Sequence, residues 1–229
     1  MRILAIDTST MTGGVAVMDG DRGLLAETRA RVRTGHSGSL MPEVDQALGR
    51  ASLAITDIDA LCVTTGPGSF TGLRIGLSTA KGLCFSTGLP LVAVPTLEAF
   101  AWNFPLSRAP VCPMLDARKK EVYAAVFLMG GGGAERLMPE ASVRPADLVR
   151  ELAGHDEVVL AGQGAELYRE VFAGALGRRA VFAPPHLSEP LPSAAAALGL
   201  QKALRGEFSE PRGLSPFYIR KSEAELKKR

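Results

Sequence analysis

The stretch Ile3-Leu4-Ala5-Ile6-Asp7-Thr8-Ser9-Thr10 joins a short apolar run to a polar turn. An uninterrupted apolar run predicts a strand buried on both faces, as the central strands of mixed sheets are. Gly13-Gly14 and a second apolar run, 15–18, follow at once, and Asp19-Gly20 is a hairpin signal before an alternating run, 24–32. The chain therefore opens with a predicted antiparallel meander of three strands, the first of which ends in an aspartate.

The same order of elements occurs again further along the chain. An apolar run at 111–115 also ends in an aspartate, Asp116, and a polar turn then leads into an alternating strand, 121–128. In each half a later strand runs into Gly-x-Gly and a helix, at Gly66-Pro67-Gly68 and at Gly162-Gln163-Gly164. A duplicated mixed sheet with flanking helices is the architecture of the actin-like (ASKHA, ribonuclease H-like) superfold. The sequence thus predicts an α/β fold of two actin-like lobes, with one large α/β domain as the alternative.

The predicted boundary between the lobes divides the chain into residues 1–103 and residues 104–229. Two helices are predicted in the N-terminal lobe, 39–51 after the meander and 71–86 after the glycine loop, with Thr71 as the cap of the second. The last predicted helix begins with Ser193 as its cap and is the one element of the C-terminal half that could pack back on the first lobe.

Composition and charge exclude several classes of protein. Of the 229 residues 46% are hydrophobic and 22% charged, and the net charge is only +2. A chain so close to neutral lacks the concentrated basic surface of an autonomous nucleic-acid binder. Cys62, Cys84 and Cys112 form no CxxC pair, which favours buried, reduced thiols and a cytoplasmic location. No apolar run approaches the ~18 residues of a membrane span, so no membrane partner is expected.

The polar turn after each first strand is a candidate phosphate site. Backbone N–H groups and hydroxyls of such a turn can hold a phosphate, and a carboxylate can orient hydrated magnesium. The alternative is an Asx or Ser/Thr turn that only closes a hairpin. The candidate residues for a vestigial nucleotide cleft are Asp7, Thr8, Ser9, Thr10 and Asp116.

The glycine loop Gly66–Gly72 fits no phosphate-loop template. It lacks the Gly-Lys-Ser/Thr ending of a P-loop, and the third glycine of a dinucleotide fingerprint comes one place late. Close approach of the backbone to a partner chain is the alternative. His36, His155 and His186 are far apart in sequence, so no metal ligand set is predicted. Ser69 is the one nucleophile candidate, but no GxSxG elbow accompanies it, and no coherent catalytic set emerges.

A longer motif carries a family resemblance. Thr65-Gly66-Pro67-Gly68-Ser69-Phe70-Thr71-Gly72-Leu73-Arg74-Ile75-Gly76 resembles the signature of the TsaB (YeaZ) family. Shorter matches follow the same order along the chain: Asp7-Thr8-Ser9, His36-Ser37 before Leu40-Met41-Pro42, Asp116-Ala117-Arg118 with Glu121-Val122-Tyr123, and Pro216-Phe217-Tyr218-Ile219-Arg220. The resemblance implies a non-catalytic subunit of the bacterial machinery that makes threonylcarbamoyladenosine on tRNA. That family is related to the catalytic TsaD subunit and was once labelled glycoprotease-like.

The resemblance also implies that a metal site has been lost. TsaD-like proteins carry HxxxH at the start of a helix, and the corresponding stretch here is Val94-Pro95-Thr96-Leu97-Glu98-Ala99-Phe100. Thr96 and Phe100 stand at the two metal positions, and neither side chain can replace an imidazole. The family resemblance therefore implies a pseudo-enzyme that requires no cofactor, with weak nucleotide binding left open.

The family packs the helix after the meander and the helix after the glycine loop against a TsaD-like subunit or a second TsaB. The candidate interface residues are His36, Leu40, Met41, Val44, Leu48, Arg74, Ile75, Thr79 and Gly82. The alternative is that these side chains face the core of their own lobe. A TsaE-like P-loop ATPase is a further expected partner, the isolated chain is expected to be a homodimer, and tRNA is expected to bind only through the complex.

Three alternatives stay open at the level of sequence. The chain could be a small actin-fold phosphotransferase that uses Asp7 and Asp116 around magnesium-ATP. The old family label leaves a glycoprotease-like peptidase as a weaker rival. The basic C-terminal residues 221–229 could touch tRNA in a complex, or could be a solvated helix end.

Overall fold

The computed structural model describes residues 1–32, 36–131 and 133–220, so the basic C-terminal segment 221–229 lies outside the described part. The strands are β1 (Arg2–Asp7), β2 (Thr12–Asp19), β3 (Gly23–Arg31), β4 (Ala60–Thr64), β5 (Leu91–Val94), β6 (Val111–Asp116), β7 (Val122–Gly130), β8 (Gly133–Val143), β9 (Val158–Ala161) and β10 (Ala180–Phe182). The α-helices are α1 (Leu40–Arg50), α2 (Phe70–Thr87), α3 (Thr96–Ala101), α4 (Pro145–Leu152), α5 (Gln163–Leu167), α6 (Arg169–Leu176) and α7 (Pro192–Leu204).

Two five-stranded sheets repeat one topology. The first has the strand order β3-β2-β1-β4-β5. The second, written from the corresponding edge, has the order β8-β7-β6-β9-β10, so each strand has a counterpart at the same place in the other sheet. β1 pairs antiparallel with β2 and parallel with β4, and β6 pairs in the same way with β7 and β9. Each sheet is therefore mixed, with its opening meander on one side and its crossover strands on the other.

The described chain divides into two units, Met1–Ala99 with Pro190–Phe217, and Phe100–Glu189 with residues 218–220. The predicted division lay at residue 103, and α7 returns to the first unit. The backbone of α7 lies close to β4, because the Ala195 carbonyl accepts a 3.4 Å hydrogen bond from the Cys62 thiol. A Cβ on Gly199 would crowd the same thiol, so this close approach needs a glycine there. The cap expected at Ser193 is not formed, since the N-cap is Leu191.

In the first unit α1 and α2 cover the sheet face opposite α7. Alternate residues of β1, such as Leu4 and Ile6, join a buried cluster with Leu40 and Val44 of α1 and Leu77 of α2. Helix α2 begins after Ser69, whose hydroxyl accepts the Gly72 N–H at 3.2 Å. Ser69, rather than the predicted Thr71, is thus the cap, because Thr71 already lies inside the first helical turn.

In the second unit α4, α5 and α6 pack on one face of the sheet, around Met114, Leu148 and Phe172. The sequence predicted one helix through Phe172, but Tyr168 leaves the helical conformation and separates α5 from α6. The sequence did not predict β8 or β10. β8 is an edge strand of mostly half-exposed residues, so it lacks an apolar alternation, and β10 has only three residues.

The three cysteines are buried and free. Burial raises the pKa of the Cys62 and Cys112 thiols well above its usual range, so both stay protonated. Within the described ranges, no helix combines the length and the hydropathy that crossing a membrane demands.

Candidate functional site

The turn after β1 is buried, and most of its side chains hydrogen-bond within the turn or to neighbouring segments. Asp7, Thr8 and Ser9 are each 1% exposed. Oδ1 of Asp7 accepts the Ser9 N–H at 2.8 Å and the Thr64 hydroxyl at 2.9 Å. The Thr10 hydroxyl donates to the Thr12 carbonyl at 2.6 Å. The Asp7-to-Ser9 bond has the geometry of an Asx turn, and nucleotide binding there stays a prediction.

Glycines of the following loop and helix lie directly on this turn. The Thr8 hydroxyl donates to the Gly72 carbonyl at 2.8 Å, and the Ser69 N–H donates to the Ser9 carbonyl at 2.7 Å. A Cβ on Gly72 would overlap the carbonyl oxygen of Thr8, and one on Gly68 would overlap that of Ser9. The absence of side chains is therefore what lets the loop cover the turn.

Two side-chain oxygen atoms in the turn do not take part in these hydrogen bonds. Asp7 Oδ2 and Ser9 Oγ are buried and have no hydrogen-bond partner among the residues that the structure describes. Buried polar atoms are normally paired, so these two are where a water molecule or a small ion could complete the turn. Asp7 is the one carboxylate of the turn that such a group would meet.

Thr96, one of the two residues for which the resemblance implies a lost metal ligand, holds the glycine loop. Its hydroxyl accepts the Gly66 N–H at 3.1 Å, and its own N–H donates to the Gly66 carbonyl at 2.8 Å. Thr96 and Phe100 are both fully buried. In residues 1–32, 36–131 and 133–220 no group of three or more His, Cys, Asp or Glu is arranged to hold a metal.

Phe217, which belongs to the C-terminal sequence match 216–220, contacts the same glycine loop. The Phe217 N–H donates to the Thr65 carbonyl at 2.7 Å, and a Cβ on Gly66 would overlap the Phe217 carbonyl oxygen. Gly66 has a φ of +123°, a conformation that residues with a Cβ rarely adopt. The fold thus joins two sequence matches that are far apart along the chain.

His36 is buried and contacts the turn after β1. It is 4% exposed, and its Nε2 lies 2.8 Å from the Thr10 carbonyl oxygen. Since a carbonyl only accepts hydrogen bonds, Nε2 carries the proton. The ring of His36 is therefore held inside the first unit, and an interface role for this residue stays a prediction.

Asp116 differs from Asp7 in its surroundings. It is exposed at the end of β6, in the second unit, and its Oδ1 accepts the Arg118 N–H at 2.7 Å. The two aspartates hold equivalent places in the repeated topology, but only Asp7 is covered by a glycine loop.

The apolar stripe of α1 faces its own core. Leu40, Val44 and Leu48 are between 2% and 7% exposed and belong to the cluster under the sheet. The core of the first unit already occupies these side chains, which favours the alternative that they face their own lobe, and an interface role for them stays a prediction. On the same helix Met41 is 44% exposed and remains available.

The outer face of α2 forms a continuous exposed line. We call it the α2 stripe; its residues are Thr71, Arg74, Ser78, Gly82 and Phe85. Their spacing of three or four residues places them on one side of the helix. Ile75 and Thr79 border the stripe and are half-buried. The Arg74 guanidinium stacks on the Phe70 ring at 3.8 Å.

Phe85 is the large apolar residue of the α2 stripe, and it is absent from the predicted interface residues. It is 61% exposed, whereas Cys84 beside it is buried. The signal was available, because Phe85 follows Gly82 and Ser78 at helical spacing. A Cβ on Gly82 would meet nothing within 4 Å, so the fold of the chain itself does not require a glycine there.

Comparisons with known proteins agree over nearly the whole chain. A family model described as TsaD, tRNA N6-adenosine threonylcarbamoyltransferase, matches residues 30–228. The tRNA threonylcarbamoyladenosine biosynthesis protein TsaB of Bacillus subtilis is 35% identical over 99% of this chain and 97% of its own length. TsaB of Escherichia coli is 33% identical over 92% of this chain and 93% of its own.

Solved structures give the same result for the fold. YeaZ from Pseudomonas aeruginosa superimposes with a TM-score of 0.81 at 28% identity and covers 95% of this chain and 99% of that one. A ROK hexokinase from Thermus thermophilus matches with a TM-score of 0.54 at 15% identity, over 87% of this chain and 100% of that one, which is a likeness of fold alone. The predicted α/β fold with actin-like sheets is confirmed.

Proposed function

The chain belongs to the TsaB (YeaZ) family of tRNA threonylcarbamoyladenosine biosynthesis proteins, and we propose that it serves there as a non-catalytic scaffold. It binds a TsaD-like catalytic subunit and supports transfer of the threonylcarbamoyl group to the tRNA adenosine next to the anticodon. The observation that carries this proposal is the α2 stripe, a helix face exposed along its whole length.

The α2 stripe has the features of a helix-packing surface. Gly82 leaves open space, so the backbone of a partner helix can come close without displacing a side chain. Phe85 offers a large apolar side chain that the core of the first unit does not use. Aromatic and arginine side chains dominate the energy of many interfaces, and Arg74 lies on the same face.

The kinship with TsaD supports a partner of the same fold. The TsaD family model matches residues 30–228, a span that includes α1 and α2. A related subunit can therefore present equivalent helices, and the two faces can pack about a pseudo-twofold axis. A second copy of this chain can do the same, because an isologous interface uses one patch on both partners. We expect a homodimer when the catalytic subunit is absent.

Three features support a scaffold rather than an enzyme. Thr96 and Phe100 stand where the resemblance to TsaD-like proteins implies metal-ligating histidines, and both are buried. The hydroxyl of Ser69 is engaged as the cap of α2. The turn Asp7–Thr10 lies under the glycine loop. In the proposal the chain therefore brings no cofactor of its own, a TsaE-like ATPase joins the complex, tRNA is bound by the complex, and the work takes place in the cytoplasm.

The sharpest test replaces Gly82. The Gly82→Arg variant fills the open space on the α2 stripe and leaves the core untouched, and arginine is a better helix former than glycine. Mixed with the TsaD-like protein of the same organism, the wild type should co-elute in gel filtration, and the variant should bind at least about tenfold more weakly. Gly174→Arg on α6, where a Cβ also meets nothing within 4 Å, is the matched control.

Wild-type chain that forms no complex and leaves tRNA modification unchanged would refute the scaffold proposal. The phosphotransferase rival has its own measurement, calorimetry with magnesium-ATP. We expect no micromolar binding, because the turn Asp7–Thr10 is covered. Micromolar binding that Asp7→Ala abolishes would favour the rival instead.

A further inference from the structure

The turn between β6 and β7 has an unusual backbone. Arg118, Lys119 and Lys120 have φ angles of 58°, 51° and 62°, so three consecutive residues with side chains are left-handed. Such residues are disfavoured and persist where their surroundings hold them in place. All three are exposed. The chain thus presents three cationic side chains from one short turn, which we call the basic turn (Arg118, Lys119 and Lys120).

Hydrogen bonds on both sides fix the base of this turn. The Glu121 N–H donates to the Arg118 carbonyl at 3.0 Å, and the Ala117 N–H donates to the Glu121 carbonyl at 3.1 Å. Arg220 donates to the Ala117 carbonyl at 3.1 Å and to the Ser142 hydroxyl at 3.0 Å, and also binds the Glu121 carboxylate. These hydrogen bonds from Arg220 and within the backbone therefore hold the two ends of the basic turn in place.

Two carboxylates adjoin the basic turn, Asp116 before it and Glu121 after it. The Ser142 hydroxyl and the charge of Arg220 lower the pKa of Glu121, so this carboxylate is ionised and forms an ion pair with Arg220. Arg144, another cation near Glu121, is bound by Asp147 at 2.7 Å. Asp116 is exposed, and its Oδ1 accepts the Arg118 N–H. Positive charge therefore exceeds negative charge at the tip of the turn.

The equivalent turn of the first unit has the opposite character. Residues Asp7–Thr10 are buried, carry no cation and lie under the glycine loop. The repeat thus has one covered turn and one exposed, basic turn. Exposed lysine and arginine side chains suit the phosphates of an extended polyanion, because these contacts act through charge and need no concave site.

We propose that the basic turn contacts the tRNA phosphate backbone in the assembled complex. This rests on the proposed scaffold function, since a net charge of +2 is too small for tight binding by the chain alone. Phosphate contacts fix the position of a nucleic acid and carry no sequence information themselves. The basic turn would accordingly help to orient the tRNA, and the catalytic subunit would select the adenosine.

The test removes charge and keeps the conformation. Asparagine tolerates the left-handed region, so the triple variant Arg118→Asn, Lys119→Asn, Lys120→Asn should fold normally. Anisotropy with a fluorescent, unmodified tRNA transcript measures the affinity of the full complex over a range of salt concentrations. We expect binding about tenfold weaker at low salt. The slope of log affinity against log salt should fall by about 1 for each phosphate that the variant no longer neutralises.

Two further variants make the result specific. Arg22→Asn, Arg178→Asn, Arg212→Asn removes the same charge from exposed positions outside the turn and should leave the slope unchanged. Lys119→Arg, Lys120→Arg keeps the charge and should bind tRNA as the wild type does. Gel filtration with the TsaD-like subunit should show intact complexes for all variants.

The possible failures are distinguishable. If the complexes form and the triple variant keeps the wild-type salt slope, the basic turn does not contact tRNA, and the scaffold function stands. If the complex with the triple variant loses magnesium-ATP binding and keeps its tRNA affinity, the basic turn binds the phosphates of a nucleotide and not those of tRNA. That result overturns the proposal. If the wild type forms no complex, both proposals fall.

Discussion

Thr8 and Gly72 are in direct contact: the Thr8 hydroxyl donates to the Gly72 carbonyl at 2.8 Å, and the Thr8 carbonyl lies where a Cβ of residue 72 would be. The contact joins the end of β1 to the first turn of α2. Through it the glycine loop covers the turn Asp7–Thr10. The same contact sets the position of α2, whose outer face is the proposed partner surface.

Gly72→Ala should destabilise the chain. The added methyl group would overlap backbone atoms, which cannot swing aside as a flexible side chain can, so we expect a loss of roughly 2 kcal/mol or more in the free energy of unfolding. Urea denaturation measures it. In Gly82→Ala the added methyl group meets no atom, and the helix should gain up to about 1 kcal/mol. Equal effects at the two glycines would contradict this account.

Thr96→Val should loosen the glycine loop. Valine keeps the shape of threonine but leaves the buried Gly66 N–H without its acceptor, which costs about 1–3 kcal/mol of unfolding free energy. Thr96→Ser keeps the hydroxyl and should lose less. Guanidinium denaturation of the two variants compares them, and a Thr96→Val variant as stable as Thr96→Ser would show that the hydroxyl does not hold the loop.

Glu121→Gln should destabilise the chain in a pH-dependent way. The folded state lowers the pKa of Glu121, first through the Ser142 hydroxyl and then through Arg220, so its stabilising contribution is present above the ordinary value of 4.5. That contribution disappears as the pH falls below 4.5 through the folded-state pKa. The stability gap between wild type and variant should therefore close in acid.

Urea midpoints at neutral and at acidic pH measure this gap. Glu157→Gln, at an exposed position, serves as the control and should show no gap at either pH. A gap for Glu121→Gln that stays constant from neutral to acidic pH would exclude the ion pair as its cause.

Phe85→Ser should weaken the complex with the catalytic subunit and spare the fold. The side chain is 61% exposed, so its loss removes little buried area from the first unit, whereas burial at an interface would make it a main contributor to affinity. We expect at least about tenfold weaker binding by calorimetry, with thermal unfolding unchanged. Phe208→Ser removes a phenyl ring that is 47% exposed and should bind normally. Full affinity of Phe85→Ser would place the interface elsewhere.

Local pattern was enough for elements whose residues are uniformly buried or sharply bounded. The predicted bounds of β5, α4 and β9 agree with the structure, since apolar runs and a helix-starting proline mark them. β8 was missed because an edge strand with Pro139 and Glu140 shows no regular alternation. The cap of α2 was misplaced by two residues, because Ser69 and Thr71 are equally suitable in type and only the backbone decides between them.

Helical spacing also could not tell which stripe of a helix faces outward. The Leu40-Val44-Leu48 line was a candidate interface and lies in the core, whereas Phe85 was overlooked and is exposed. The Leu40-Val44-Leu48 line and the α2 stripe, which contains Phe85, both follow the three- or four-residue spacing of a helix face. Their difference arises from the sheet beneath, which contacts one side of each helix and leaves the other to solvent.

The sequence by itself determined the duplicated order of elements and the glycine loop, because these depend on residue type and local spacing. Only the tertiary structure decided that one turn is covered and the other exposed. It alone brought Arg220 beneath a turn 99 residues earlier in the chain, at Glu121. Exposure and charge pairing depend on contacts between distant segments, and a linear pattern does not contain them.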